Sequence, residues 1–301
     1  MEKAKILMDG ALGTLLWQEA EKAGLEKTPV WMYNQTAPEL VKSIHLRYLE
    51  AGSDLILTNT FTVNAMEMKK YEGQDVASVI EKAVQIAREA ASEAVLKGFK
   101  SEDDKILVGL DIGPLPGVLE PYGDIEEDEA DEVYKEVMDA GVKAGVDCIV
   151  LETFYDLGVM EAAAKRAKTY GLPLLCSMTF EKNGRTFMGA SPEDVAASLT
   201  EIGADAIGLN CSVGPKDALP VIKRFSELTD KPLIFKPNSM SEPEPGELKM
   251  PYTREMYVED LKAALPYVTY VGCCCGTDES YIRAIRKALA SLGGSCQIKA
   301  D

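Results

Sequence analysis

Three consecutive cysteines, Cys273-Cys274-Cys275, end a short apolar run near the C-terminus and lead straight into Gly276-Thr277. A further cysteine, Cys211, ends an earlier run of the same kind, Ala206-Ile207-Gly208-Leu209-Asn210. Thiols presented at two strand ends make a soft-metal site, most simply zinc on three thiolates with its fourth position open. The set is Cys211 with two of Cys273, Cys274 and Cys275. No fourth protein ligand stands out, which separates it from a closed structural site. A redox pair is the rival reading, but adjacent cysteines form a disulfide only under strain.

Zinc on three thiolates is electron-rich and a poor polariser of water. Its better use is to take a substrate thiol as the fourth ligand. A free thiol, of pKa about 8.5, is only a few per cent ionised at neutral pH, whereas coordination deprotonates it outright. The chemistry this prepares is attack of sulfur on an electrophilic carbon. Cys148 and Cys176 lie within apolar runs and read as small buried hydrophobes, and Cys296 lies in the C-terminal tail. His45 is the only histidine and sits in the helical run Ser43-Ile44-His45-Leu46-Arg47, which reads as a helix-surface or packing position. A Ser-His-Asp or Cys-His mechanism is therefore not expected.

The elements that must position these groups alternate along the chain. Strands are expected at Lys5–Met8, Leu55–Thr58, Ile106–Asp111, Cys148–Glu152, Leu172–Thr179, Ala206–Asn210, Leu233–Lys236 and Thr269–Cys273. Between them, Pro38–Gly52, Val76–Leu96, Asp128–Ala144, Leu157–Tyr170 and Pro192–Ile202 carry apolar residues at helical spacing. Thr36-Ala37-Pro38-Glu39 and Ser191-Pro192-Glu193-Asp194 read as helix starts, and Gly52, Gly171 and Gly203 as helix stops. Eight strand–helix repeats describe a single (β/α)8 TIM barrel. Polar and thiol residues gather where the strands end, the face on which such barrels carry their sites.

With 32 basic against 49 acidic residues the net charge is −17, which argues against nucleic acid or an anionic membrane as partner. The N-terminus lacks the apolar stretch of a signal peptide, and no run reaches the length of a membrane span. Seven cysteines without a leader point to reduced thiols and to the cytoplasm.

From about Ile6 to Leu289 the chain resembles the homocysteine S-methyltransferase family. The matching stretches are Met8-Asp9-Gly10-Ala11-Leu12-Gly13-Thr14, Ala51-Gly52-Ser53-Asp54 through Thr58-Asn59-Thr60-Phe61, Asp111-Ile112-Gly113-Pro114, Leu151-Glu152-Thr153, Gly208-Leu209-Asn210-Cys211 and the cysteine run before Gly276-Thr277. The resemblance implies one homocysteine-binding barrel domain over residues 1–301, carrying Zn2+ and moving a methyl group onto homocysteine to give methionine. It implies Cys211, Cys274 and Cys275 as zinc ligands, and Glu152 as the acid that holds the substrate ammonium. It implies Asp9 and Gly10 as the turn that meets the substrate carboxylate, with Asn210 beside them in the substrate site or ordering the loop around Cys211. One departure is plain: the family's Gly-Gly-Cys-Cys becomes Gly272-Cys273-Cys274-Cys275, so Cys273 stands where a glycine is usual.

Cys211-Ser212-Val213-Gly214-Pro215, Asp111-Ile112-Gly113-Pro114 and Met178-Thr179-Phe180 resemble the N-terminal barrel of cobalamin-dependent methionine synthase. That favours a methylated corrinoid, carried on another polypeptide or another part of a longer protein, as donor. Pro237-Asn238-Ser239 leans toward relatives that use a sulfonium such as S-methylmethionine. Two other readings stay open: a non-catalytic homocysteine-binding subunit, and a metal-free lyase using Lys236 as a Schiff-base amine. The Pro- and Glu-rich stretch from Lys236 to Thr253 reads as a lid or an exposed insertion.

Overall fold

A computed structural model describes residues 5–239 and 252–291. Its eight strands are β1 Ile6–Leu7, β2 Leu55–Leu57, β3 Leu107–Ile112, β4 Cys148–Phe154, β5 Leu174–Met178, β6 Ala206–Asn210, β7 Leu233–Lys236 and β8 Tyr270–Val271. All neighbours pair in parallel, in the order β1-β8-β7-β6-β5-β4-β3-β2. The ring closes between β1 and β2 through a parallel bridge from Met8 to Leu55. Helices lie between successive strands, the longer ones at Leu12–Lys22, Pro38–Ala51, Val76–Leu96, Glu127–Ala144, Leu157–Lys168, Pro192–Ile202, Pro215–Leu228, Arg254–Lys262 and Glu279–Ser291. The chain is a (β/α)8 barrel.

Strand alternation divides the core into two layers. Met8, Leu55, Leu57, Cys148, Val150, Leu175, Ala206 and Ile234 point inward and fill the barrel. Their neighbours of opposite parity, such as Ile56, Leu110, Ile149, Leu151, Cys176 and Phe235, point outward and pack beneath the helices. Each fully buried Leu or Phe removes enough apolar surface to contribute about 1.5–3 kcal/mol. Cys148 and Cys176 are thus free, buried thiols on opposite faces of the sheet.

The ends of the helices carry the expected signals with one exception. Ser191 accepts from the Asp194 backbone while Asp194 reaches back to Ser191, a complete capping box. Gly52 and Gly203 stop their helices with φ of +114° and +89°, which a side chain would resist. Thr36, however, does not cap the helix at Pro38. Ala37 holds that position without a side-chain bond, because Thr36 closes a short helix of its own and donates to the Met32 carbonyl. His45 is fully buried in the helix Pro38–Ala51 with neither ring nitrogen partnered, and burial alone pulls its pKa down to about 4. It is a neutral packing residue, not a surface one.

Candidate active site

Three consecutive loops on the C-terminal face are laced into one floor. After β6, the Cys211 amide donates to the Lys236 carbonyl at 3.0 Å, and Asn238 donates to the Val213 carbonyl at 3.0 Å. After β7 and β8, Cys274 donates to Pro237 at 3.0 Å and Ser239 to Cys275 at 3.1 Å. β8 also bends against β1, with Cys273 donating to the Asp9 carbonyl at 3.1 Å. Only glycine allows that approach: a Cβ on Gly272 would lie 2.8 Å from the Asp9 carbonyl oxygen and 2.9 Å from the Met8 Cβ.

This lacing brings Cys211, Cys274 and Cys275 together, with their sulfurs all within 4.8 Å of one another. The Cys211 and Cys275 sulfurs are 3.8 Å apart. Cys211 and Ser212 both adopt left-handed backbone, with φ of +60° and +61°, which turns the Cys211 thiol away from the direction the strand would have given it. Hydrogen bonds from Cys274 and Cys275 hold the Cys211 thiolate far below the usual thiol range, while the same bonds push Cys274 up. Three convergent thiols of this kind are a fit donor set for a soft metal ion. Cys273 is not among them. Its side chain belongs to the outer layer beneath the helices, and burial pushes its pKa up to about 12 despite the nearby Tyr257 hydroxyl. β8 has ended at Val271, so the bend of the chain held by the Cys273–Asp9 and Cys274–Pro237 backbone bonds, and not strand alternation, decides which thiols turn into the site.

Beside the thiols lies a buried cluster of charge. Asp9, Asp111 and Glu152 surround one cation, Lys236, whose ammonium is 2.8 Å from Glu152 Oε2 and 3.5 Å from Asp9 Oδ1. Burial opposes the charge on Lys236, but Glu152, Asp9 and Cys274 together outweigh it and raise its pKa. Lys236 is therefore held as an ammonium and lacks the lone pair a Schiff base needs. Asp9 accepts from the Leu57 amide at 2.8 Å, yet burial lifts its pKa to about 6, with Lys236 pulling the other way. Asp111 is lifted further, by burial first and then by Glu152, and its Oδ1 has no partner. Thiols and carboxylates line one cavity of about 640 Å³, whose outer wall is apolar at Trp17, Val30 and Phe61. Its size and mixed lining suit a small amino acid plus a second reactant.

Of the residues singled out in the sequence, Asp9, Gly10, Glu152, Cys211, Cys274 and Cys275 all line this cavity. Asn210 does not. It is fully buried behind the wall, where Ser177, Thr153 and Cys274 take up its amide. Asp111 and Lys236 were legible as strand-end residues, but their convergence on Glu152 was not, because Lys236 meets Glu152 across 84 positions of sequence. Asn238 was likewise unassigned; its side chain helps hold Cys211 ionised. The stretch expected as a lid falls largely on residues 240–251, outside the described residues. No helix among the described residues is long and apolar enough to cross a membrane.

Comparison with known proteins meets the same residues. The chain is 31% identical over 300 residues to the methionine synthase of Mycobacterium leprae and 30% over 302 residues to that of Mycobacterium tuberculosis, covering 94% of this chain in each case. It spans about a quarter (24%) of the length of these curated relatives. The homocysteine methyltransferase MmuM of Escherichia coli shares the fold, with TM-scores of 0.80 for its metallated form and 0.75 for its apo form. Identities there are 21% and 23%, over 95% of this chain and 97% and 96% of the respective MmuM chains. The homocysteine S-methyltransferase family matches residues 6–289, nearly the whole of the described barrel and every residue of its thiol and carboxylate clusters. The chain thus belongs to the homocysteine S-methyltransferase family, a family of methyltransferases.

Proposed function

We propose that residues 1–301 form a homocysteine-binding barrel that transfers a methyl group to the homocysteine thiol, giving methionine, with Zn2+ held by Cys211, Cys274 and Cys275. The single observation that carries this reading is the placement of three convergent thiols and an anionic cluster on the walls of one cavity. A thiol-bearing amino acid needs both. When bound, zinc would keep the substrate thiol deprotonated yet nucleophilic.

The chain's own residues supply recognition. Glu152 faces the cavity with Lys236 holding it in place, and Asp111 adds a carboxylate oxygen that no protein group satisfies. An ammonium entering there gains charge-assisted bonds and relieves the excess of buried anions. Asp9 and Gly10 also line the cavity, and the backbone N–H groups of their turn would meet the substrate carboxylate. Trp17, Val30 and Phe61 add apolar surface to the lining of the same cavity. The methyl donor we favour is a methylated corrinoid on another polypeptide or another part of a longer protein. Support for it comes from the resemblance of the β6 and β3 loop sequences to methionine synthase, to which the chain is 31% identical in the Mycobacterium leprae relative.

The test is methionine formation from homocysteine by zinc-loaded, anaerobically purified protein with either methylcobalamin or S-methylmethionine. Turnover with methylcobalamin alone supports the corrinoid reading, and turnover with S-methylmethionine replaces the donor. Cys211→Ala should lose zinc and methyl transfer together while still folding. Zinc retained at full stoichiometry in that variant would sink the ligand assignment.

A further inference from the structure

We propose that Asn210 is a positioning residue that sets the ammonium-binding Glu152 carboxylate, by clamping the Glu152–Thr153 strand end in a left-handed turn. The proposal rests on the reading of this cavity as a homocysteine site.

The strand β4 does not run true to its end. Its pairing with β5 is regular through Leu151–Cys176 and then slips, resuming at Phe154–Met178, so Glu152 and Thr153 bulge from the ladder. Bulges of this kind re-aim side chains beside active sites and leave backbone groups without ladder partners. Thr153 takes φ of +66°, a conformation that a β-branched residue rarely adopts unless its surroundings impose it.

Asn210 is the imposing group. Its Oδ1 accepts from the Thr153 amide at 2.8 Å and from the Ser177 hydroxyl at 2.8 Å. Its Nδ2 donates to the Thr153 hydroxyl at 2.7 Å and approaches the Cys274 sulfur at 3.9 Å. One primary amide thus grips Thr153 at two points and touches strand ends from β4, β5 and β8, while its own backbone leads directly into Cys211. An Asp at 210 would lack the donors, and a Leu would lack both halves. Displacing Asn210 frees Thr153 to relax to negative φ, which swings the adjacent Glu152 carboxylate. Losing a buried, charge-assisted contact to the ammonium is enough to cost about a hundredfold in affinity.

The decisive comparison is Asn210→Ala, Thr153→Gly and the double variant, all as zinc-loaded protein. Binding of homocysteine and of 4-mercaptobutanoate, the same thiol without its ammonium, is read by calorimetry. Asn210→Ala should weaken homocysteine by about a hundredfold, leave 4-mercaptobutanoate and zinc affinity within about threefold, and thereby abolish the preference for the aminothiol. Thr153→Gly adopts positive φ without a clamp, so in the Asn210→Ala background it should recover at least about tenfold of that loss. Equal weakening of both thiols, or no recovery in the double variant, overturns the proposal. If wild type binds neither thiol, the homocysteine reading itself fails, and amide exchange at Thr153 decides the clamp independently. Its protection should drop in Asn210→Ala, and unchanged protection overturns the positioning role.

Discussion

The barrel holds two buried clusters of charge at opposite ends, and they are built on opposite terms. At the N-terminal end, Asp54 and Lys100 pair at 2.9 Å, and both are almost fully buried. The second Asp54 oxygen accepts from the Leu7 amide at 3.0 Å with Arg286 at 3.5 Å, and Lys100 also donates to the Gly52 carbonyl. None of these side-chain atoms lacks a partner, and the network ties β1 to β2 at the seam where the barrel closes. At the C-terminal end, three carboxylates share one lysine, and Asp9 Oδ1 and Asp111 Oδ1 have no hydrogen bond. Removing one partner from a satisfied buried pair is costly because it strands the other charge, whereas an unsatisfied cluster has capacity for a further partner. The difference follows the division of labour in this fold, with stability devices at the N-terminal face and sites at the C-terminal one.

The contrast breaks if the two ends respond alike to mutation. Asp54→Ala should have the largest effect on the fold, because it leaves the Lys100 ammonium buried and unpaired. We expect a loss of about 3–5 kcal/mol in urea unfolding, with the Kd for homocysteine unchanged. Glu152→Gln should do the reverse. Its unfolding midpoint should stay close to wild type, while homocysteine binding by calorimetry weakens by about a hundredfold, equivalent to about 2.7 kcal/mol. A stable Asp54→Ala protein, or a Glu152→Gln protein that binds as wild type does, would remove the distinction.

The smallest effect sharpens it. The folded-state pKa of Asp9, about 6, lies above its unfolded value, so its proton is bound more tightly in the native state. The sign follows: ionised Asp9 costs stability above pH 6, and that cost is relieved as the pH falls from about 6 toward 4. Over the same window the site loses one negative charge. Homocysteine affinity measured from pH 7.5 to 5 should therefore weaken a few-fold more steeply in wild type than in Asp9→Asn. Asp9→Asn should also unfold at a slightly higher urea concentration at pH 7.5. Parallel pH profiles in the two proteins would place the titration elsewhere.

Strand and helix positions were largely readable in the chain because periods of 2 and 3.6 are local properties. β6 and β7 and the helices Val76–Leu96 and Pro192–Ile202 fall where the pattern puts them. Where the reading missed, a neighbour intervened: Thr36 was taken up by a preceding helical turn, and β8 shrank to Tyr270–Val271 as the chain bent to bring its cysteines over the floor. The thiol site was legible because cysteines at two strand ends are rare and chemically narrow. The carboxylate cluster was only half legible, since Glu152 sits in a family motif while its cation comes from another strand.

The sequence by itself determined the barrel, the face on which chemistry happens and the presence of a thiol site, because each follows from residue type and short-range spacing. Only the tertiary structure decided which of three adjacent cysteines turns inward, that Lys236 is an ion-pair partner to Glu152, and that Asn210 lies behind the cavity and not in its wall. Those outcomes depend on the bend of β8, the bulge in β4 and positive φ at Thr153 and Cys211. Each is a local departure from regular structure, imposed by contacts between strand ends that are distant in the chain, and no pattern of neighbours along the sequence encodes it.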